Sequence, residues 1–112
     1  MATYNDNSIS SKITSDYPLS RDLVIKWNNI REVLLENHVV STVEITPVDA
    51  ERYLFDLHGL CISALRLPEY QVYPHMIVNG YTSSYDYNGE LLRFKLLDSG
   101  KLLNYYRLFL RD

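Results

Sequence analysis

Two Asn-Gly doublets nine residues apart, Asn79-Gly80 and Asn88-Gly89, constrain the fold more than any other feature of the sequence. Asn-Gly supplies the two positive φ angles of a type I′ turn, which closes a two-residue β-hairpin. Each doublet therefore predicts a hairpin, and Asp98-Ser99-Gly100 predicts a third. The C-terminal part of the chain is then a four-stranded antiparallel meander, with strands near residues 72–78, 81–87, 90–97 and 101–110.

Tyrosine is the unusual component of the composition, because it accounts for 10 residues while phenylalanine and tryptophan together account for 4. Two-residue turns would pair Tyr81 with Leu96 and Tyr85 with Leu92, so these tyrosines are cross-strand partners in the predicted sheet. Apolar residues occur on both faces of that sheet. Helices can cover one face, and the second face then needs a protein partner.

Two amphipathic segments precede the predicted sheet. The first, residues 21–37, follows a serine cap and has an apolar stripe made up of Leu23, Trp27, Ile30 and Leu34. The second helix begins at Thr46, a capping hydroxyl, with Pro47 at its first helical position, and it ends before Pro68. The β-branched run between them predicts a strand at residues 39–45. The fold class is therefore α+β, with two helices packed on the C-terminal meander.

Residues 1–19 are rich in Ser, Asn, Asp and Thr and show no sustained period, which predicts an extended polar arm that is either flexible or ordered by a partner. Residues 20–112 form the single domain. Larger side chains spaced through the arm are candidate anchors, and tyrosines are frequent in protein interfaces. The residues expected to bind a partner are Tyr4, Ile9, Ile13, Tyr17, Tyr70, Tyr73, Tyr81 and Tyr85.

Charge and composition exclude several classes of function. The net charge of −3 is spread without a basic cluster, which disfavours nucleic-acid binding. The chain lacks the run of about 20 apolar residues that spans a bilayer, so we expect no membrane insertion. The N-terminus has neither the basic start nor the apolar middle of a secretory signal, which predicts cytoplasmic synthesis.

The residues that carry chemistry form no specific motif. His58 and Cys61 stand three apart near Asp56, a spacing that a thiol nucleophile with its base or half of a metal site could use. Cys61, however, lies on the apolar stripe of the predicted helix and is interpreted as a packed side chain. Asp49 is explained by helix capping. We therefore expect no enzyme, no catalytic or metal-binding residue and no cofactor.

Two segments, NNIREVLLENH and PVDAERYLFDL, lie between the polar arm and the terminal strands. In this arrangement the chain resembles small virion proteins of tailed bacteriophages, and most of all the baseplate wedge subunits of contractile tails. Those subunits have an early helix that ends in a double leucine and a proline-led segment that ends in a Leu-Phe-acid step. The corresponding positions here are Leu34-Leu35, Pro47 and Leu54-Phe55-Asp56. The resemblance implies a non-enzymatic subunit, held in a ring or neck of the virion by its arm and sheet edges.

The leading functional hypothesis is a structural or adaptor subunit of a larger assembly, whose partners are identical or different protein subunits. A second hypothesis is a small monomeric inhibitor or modulator that docks tyrosine-rich hairpins onto a host or target protein. A third is a small ligand-binding domain or enzyme, which a deep pocket with converging polar groups would favour.

Overall fold

The computed structural model describes residues 19–111, which form a mainly helical domain with one two-stranded antiparallel sheet. The strands are β1, Val39–Glu44, and β2, Arg93–Leu97. The helices are α1 Arg21–Asn29, α2 Arg31–Asn37, α3 Pro47–Arg52, α4 Leu57–Gly59, α5 Val72–Val78 and α6 Ser99–Arg111. A π-helical segment, Leu60–Ala64, continues α4, and 3₁₀ turns occupy Glu69–Gln71 and Ser84–Asp86. The predicted fold of two helices on a C-terminal four-stranded meander is wrong.

The first predicted helix is present but divided. Ser20 Oγ accepts a hydrogen bond from Leu23 N–H at 3.1 Å, which confirms the predicted cap. Ile30 leaves helical geometry, with φ −108° and ψ 14°, and so separates α1 from α2. The strand predicted at residues 39–45 is confirmed as β1.

The second predicted helix is also divided. Its start is confirmed, because Thr46 Oγ1 accepts a hydrogen bond from Asp49 N–H at 3.1 Å and Pro47 begins the helix. The helix ends at Arg52, and Phe55 has the left-handed φ of 61°. The chain turns helical again after Asp56, whose carboxylate accepts a hydrogen bond from Gly59 N–H at 2.9 Å.

The meander is replaced by helices at two of its predicted strands. Residues 72–78 form α5 and residues 101–110 lie within α6, while 90–97 overlaps β2. Asn79 has φ −94°, so Asn79-Gly80 lacks the two positive φ angles of a type I′ turn. Instead Gly80, at φ 94°, ends α5: Gly80 N–H donates to Ile77 O at 3.1 Å and Tyr81 N–H to Met76 O at 2.9 Å. This pair of bonds is a Schellman helix ending.

Helix α5 is the centre of the core. Every residue of α5 is buried, and α1, α2 and β2 all contact it. The sheet lies beside it, with β1 antiparallel to β2, Val43 opposite Phe94 and a register shift between Val39 and Ser41. Within residues 19–111, none of the helices combines the length and the apolar character needed to cross a bilayer.

Candidate functional site

A cavity of about 310 Å³ lies between α1, α5, α6 and the loop that follows α5. Its walls are mainly apolar and aromatic, and they include Leu19, Leu23, Val24, Trp27, Tyr70, Val72, Tyr73, Met76 and Tyr106. Besides the tyrosines, four polar side chains line it, His58, Glu69, Thr82 and Ser84, and we refer to these four as the polar cluster. The fold therefore places a polar group of four side chains at the wall of an otherwise apolar space.

His58 and Glu69 form the charged pair of this cluster. His58 Nε2 lies 2.7 Å from Glu69 Oε2, and the two side chains are 33% and 21% exposed. The hydrogen bond to Glu69 raises the pKa of His58; burial opposes this rise, and the negative charges of Glu69 and Asp56 reinforce it. The sequence analysis singled out His58 but missed Glu69, because eleven residues and a change of element separate them and no local spacing joins them.

Ser84 completes a set of residue types found in nucleophilic sites. Its hydroxyl oxygen accepts a hydrogen bond from the backbone N–H of His58 at 2.8 Å. An activated serine instead donates its proton to the ring of the base. The hydrogen bond to Ser84 therefore positions the loop against α4. Ser84 also contributes a hydroxyl to the wall of the cavity.

Cys61 is separate from this cluster. Its side chain is fully buried, and burial, aided by the negative charge of Asp56, raises the pKa of the thiol to about 12. The thiolate that a nucleophile or a metal ligand requires is thus disfavoured. Over residues 19–111, no group of three or more His, Cys, Asp or Glu side chains is arranged to hold a metal ion.

The two tyrosines before α5 and within it line the cavity. Tyr70 stacks on Tyr106 with ring centroids 4.8 Å apart, and its hydroxyl accepts a hydrogen bond from Gln71 Nε2 at 3.0 Å. The Tyr73 hydroxyl accepts one from Asn28 Nδ2 at 2.7 Å. Both side chains therefore have a structural role in the wall, in addition to the partner-binding role expected from the sequence.

The remaining predicted partner residues are distributed differently. Tyr81 is half-buried and packs edge-on against Tyr87, with centroids 5.8 Å apart, whereas Tyr85 is 79% exposed. The four predicted anchors of the arm, Tyr4, Ile9, Ile13 and Tyr17, lie outside the described residues. Among the described tyrosines of the prediction, Tyr85 is thus the one that presents most of its ring to solvent.

A second feature is an exposed apolar surface whose residues the sequence analysis did not predict to bind a partner. Phe55 is 62% exposed, and its backbone N–H donates to Tyr87 O at 2.8 Å. Leu54, the residue before Phe55, and Leu92 are 38% and 41% exposed and line a groove of about 260 Å³; Val48, which follows Pro47 of the groove wall, is 65% exposed. We refer to Val48, Leu54, Phe55 and Leu92 as the Phe55 surface.

The segments that carry the Phe55 surface are rich in acidic side chains. The two segments that form it, residues 47–56 and 84–92, contain five acidic residues and one basic residue, a net charge of −4. Four of the acids are exposed: Glu51, Asp56, Asp86 and Glu90.

Comparison of the chain with protein-family models, with curated proteins and with solved structures gives no match.

Proposed function

We propose that this protein is a non-enzymatic structural or adaptor subunit of a larger protein assembly and that it binds a neighbouring subunit through the Phe55 surface. The observation that carries the proposal is the state of Phe55, an exposed aromatic residue in a left-handed backbone conformation. Both properties are unfavourable in the isolated domain. A partner that covers the ring would recover the free energy of burying it.

The backbone of Phe55 is held in place by its surroundings. A left-handed conformation costs an L-residue about 1–2 kcal/mol, and glycine adopts it without that penalty. The hydrogen bond from Phe55 N–H to Tyr87 O fixes the corner between α3 and α4. Strained residues of this kind occur preferentially at binding and catalytic sites. The corner therefore presents a large aromatic ring at a position where the fold alone favours glycine.

The charges around the surface define the chemistry of the partner. Aromatic residues act as anchors at the centre of interfaces, and polar residues form the rim. Here the rim is acidic, with Glu51 and Asp56 on the α3–α4 side and Glu90 on the β2 side. The complementary partner presents apolar side chains flanked by Lys or Arg. Such a pairing steers association and excludes acidic surfaces.

The same corner contains residues that resemble the virion proteins of tailed bacteriophages. Leu54-Phe55-Asp56 corresponds to the Leu-Phe-acid step of the baseplate subunits, and two of these three residues belong to the Phe55 surface. We therefore propose a virion component, made in the cytoplasm and incorporated into a tail, neck or baseplate. In this proposal the acidic apolar corner is a subunit contact.

A monomeric inhibitor is a second candidate, favoured by the exposure of Tyr85. Tyr85 lies in the 3₁₀ turn that packs against α4, close in sequence to Leu92. An inhibitor could use Phe55 and Tyr85 together on one target protein. It would form a stoichiometric complex with that target and remain a monomer otherwise.

The proposal can be tested with a matched pair of glycine substitutions. Phe55→Gly removes the exposed ring and relieves the left-handed backbone, so it should leave stability unchanged or increase it while weakening assembly. Arg66→Gly is the control, because Arg66 has φ 58° and is exposed but lies outside the Phe55 surface. It should relieve the same backbone strain without affecting assembly.

Assembly is measured by sedimentation of the purified full-length chain, alone and after co-expression with the products of the adjacent genes. We expect the wild type and Arg66→Gly to enter a complex of defined stoichiometry and Phe55→Gly to lose it. If Phe55→Gly enters the same complex with equal affinity, the Phe55 surface is not the contact. A chain that stays monomeric with every co-expressed protein would overturn the assembly proposal.

A further inference from the structure

We propose that the cavity between α1, α5 and α6 binds a small uncharged amphipathic molecule with a flat apolar body and one hydroxyl or N–H group. The site is separate from the Phe55 surface. Three features support the proposal: the size of the cavity, its aromatic wall and its polar cluster.

The size of the cavity fits a ligand of about two fused rings. Its volume is about 310 Å³, whereas an apolar cavity of about 150 Å³ in another protein accommodates benzene. Pockets that bind small molecules begin at roughly 300 Å³. The space is therefore large enough for a bicyclic molecule and too small for most nucleotides or folded peptides.

The aromatic wall favours a flat body. Trp27, Tyr70, Tyr73 and Tyr106 all line the cavity. Aromatic side chains make stacked or edge-to-face contacts with other rings and contribute large apolar areas. Trp27 is held by an edge contact with Phe109, with centroids 4.9 Å apart, and Tyr70 by its stacking on Tyr106. The wall is thus preformed, and binding does not have to order it.

The polar cluster favours one hydrogen-bonding group on the ligand. The hydroxyl of Ser84 accepts from His58 N–H and keeps its own hydrogen for donation. Thr82, which also lines the cavity, supplies a second hydroxyl. A ligand hydroxyl can accept from one of these groups and donate to the other. Both residues belong to the chain that follows α5 and line the same cavity.

The charges of the cluster disfavour a charged head group. When His58 is protonated, its 2.7 Å contact with Glu69 pairs one positive and one negative charge. A charged head group would be attracted by one member of this pair and repelled by the other, and it would also lose hydration in a largely apolar space. An uncharged head group avoids both penalties.

Three naphthalene derivatives that differ only in their head group test the proposal at pH 6: 2-naphthol, 2-naphthoate and 2-naphthylmethylammonium. The ring is constant, while the head group is neutral, anionic or cationic. Binding is followed on the full-length chain by NMR of ¹³C-methyl methionine, because Met76 lines the cavity and the chain contains only 2 methionines. We expect saturable binding of 2-naphthol with a dissociation constant on the order of 0.1 mM, and at least tenfold weaker binding of the two ions.

A pair of tryptophan substitutions locates the site. Thr82 is exposed and lines the cavity, so Thr82→Trp should fill its mouth and weaken 2-naphthol binding at least tenfold. Thr42→Trp is the control, because Thr42 is exposed on β1 and is not part of the cavity wall. It should leave the affinity unchanged. Thermal unfolding of both variants verifies that each is folded.

Three results would overturn the proposal. The first is a Met76 methyl signal that does not shift while the protein is folded and 2-naphthol is in excess. The second is equal affinity in Thr82→Trp and Thr42→Trp, which would place the ligand elsewhere. The third is equal affinity for the neutral and charged derivatives, which would remove the polar cluster from recognition. None of these results bears on assembly through the Phe55 surface.

Discussion

The side-chain amide of Asn79 forms two hydrogen bonds with the backbone of Lys95: Lys95 N–H donates to Oδ1 at 2.8 Å, and Nδ2 donates to Lys95 O at 3.1 Å. His75 acts at the same edge, since its Nε2 accepts a hydrogen bond from Leu97 N–H at 3.0 Å. The outer edge of β2 is therefore paired with side chains of the α5 region, which take the place of a third strand. These side chains satisfy backbone groups that would otherwise be left without partners in the core.

Asn79→Ala should destabilise the protein by about 2–3 kcal/mol, because it leaves Lys95 N–H and C=O without these partners. Asn88→Ala is the control from the other Asn-Gly doublet. Asn88 is exposed and accepts a single hydrogen bond, from Glu90 N–H, so its loss should cost less than about 1 kcal/mol. Urea unfolding measures both changes, and hydrogen exchange of the Lys95 amide should accelerate in Asn79→Ala. Equal destabilisation by the two substitutions would contradict this role of Asn79.

The Asn-Gly doublets show why the sequence predicted some elements correctly and missed others. Both Gly80 and Gly89 have positive φ, as expected, but a Schellman helix ending needs only the glycine in that conformation. A doublet alone thus does not distinguish a hairpin from a helix end. Caps such as Ser20 and Thr46 were predictable because their effect lies within three residues of sequence.

The start of helix α6 has a capping signal in the sequence, which the hairpin interpretation missed. Asp98 Oδ1 accepts hydrogen bonds from Gly100 N–H at 2.9 Å and Lys101 N–H at 3.2 Å, so Asp98-Ser99-Gly100 is a helix start and not a hairpin. Leu102 and Tyr106, both buried, lie four residues apart on one helical face. The cavity, with its contact between His58 and Glu69, and the edge pairing of Lys95 were not predictable, because both depend on tertiary packing.

Gly80 and Gly89 provide a second test, since they share a left-handed conformation but differ in surroundings. A Cβ at Gly80 would meet nothing within 4 Å, whereas one at Gly89 would lie 3.1 Å from Leu54 Cδ2. Gly80→Ala should therefore cost about 1–2 kcal/mol from backbone strain alone. Gly89→Ala should cost a few tenths of a kcal/mol more, and Gly89→Val more again because of its β-branch. Chemical denaturation measures the free energy of unfolding of the three variants and so their order. If Gly89→Val were as stable as the wild type, that result would contradict backbone strain at Gly89.

Cys61 should behave as a buried apolar side chain. It is fully buried and its pKa is raised to about 12, so a thiol reagent should modify the native protein only as fast as the protein opens. The same reagent should react at once in denaturant. Cys61→Ala should lower the free energy of unfolding by about 1–2 kcal/mol through lost packing. Rapid modification of the native thiol, without denaturant, would show that the side chain is accessible.

His75 should make the protein less stable as the pH falls below about 6.5, the ordinary pKa of histidine. Leu97 N–H donates to Nε2, so Nδ1 carries the proton and donates to Gln71 O at 2.8 Å. Burial lowers the pKa of His75, and the hydrogen bond with Gln71 partly opposes this. The unfolded chain therefore takes up the second proton at higher pH than the folded chain does, and unfolding is favoured on acidification.

The measurement is urea unfolding from pH 7.5 down to pH 5 on the wild type and on His75→Phe. His75→Phe should be less stable at pH 7.5 by about 1–3 kcal/mol, because Leu97 N–H loses its acceptor. Its stability should depend less on pH below 6.5 than that of the wild type. Parallel pH profiles would mean that His75 protonation is not linked to folding.

His58 should have the opposite effect: it should make the protein less stable as the pH rises above about 6.5. Its pKa is raised, chiefly by the hydrogen bond to Glu69, so the folded chain binds this proton more tightly than the unfolded chain does. The stabilisation is fully present below the unfolded pKa of about 6.5 and is lost as the pH rises through the higher folded pKa.

Glu69→Gln should remove the main cause of the shift, flatten the stability profile above pH 6.5 and return the His58 titration toward its ordinary value. Glu51→Gln, at an exposed glutamate of α3, should leave both unchanged. NMR titration of the His58 ring protons, together with urea unfolding from pH 6 to 8.5, measures the two effects, and an unshifted His58 titration in the wild type would contradict the pairing.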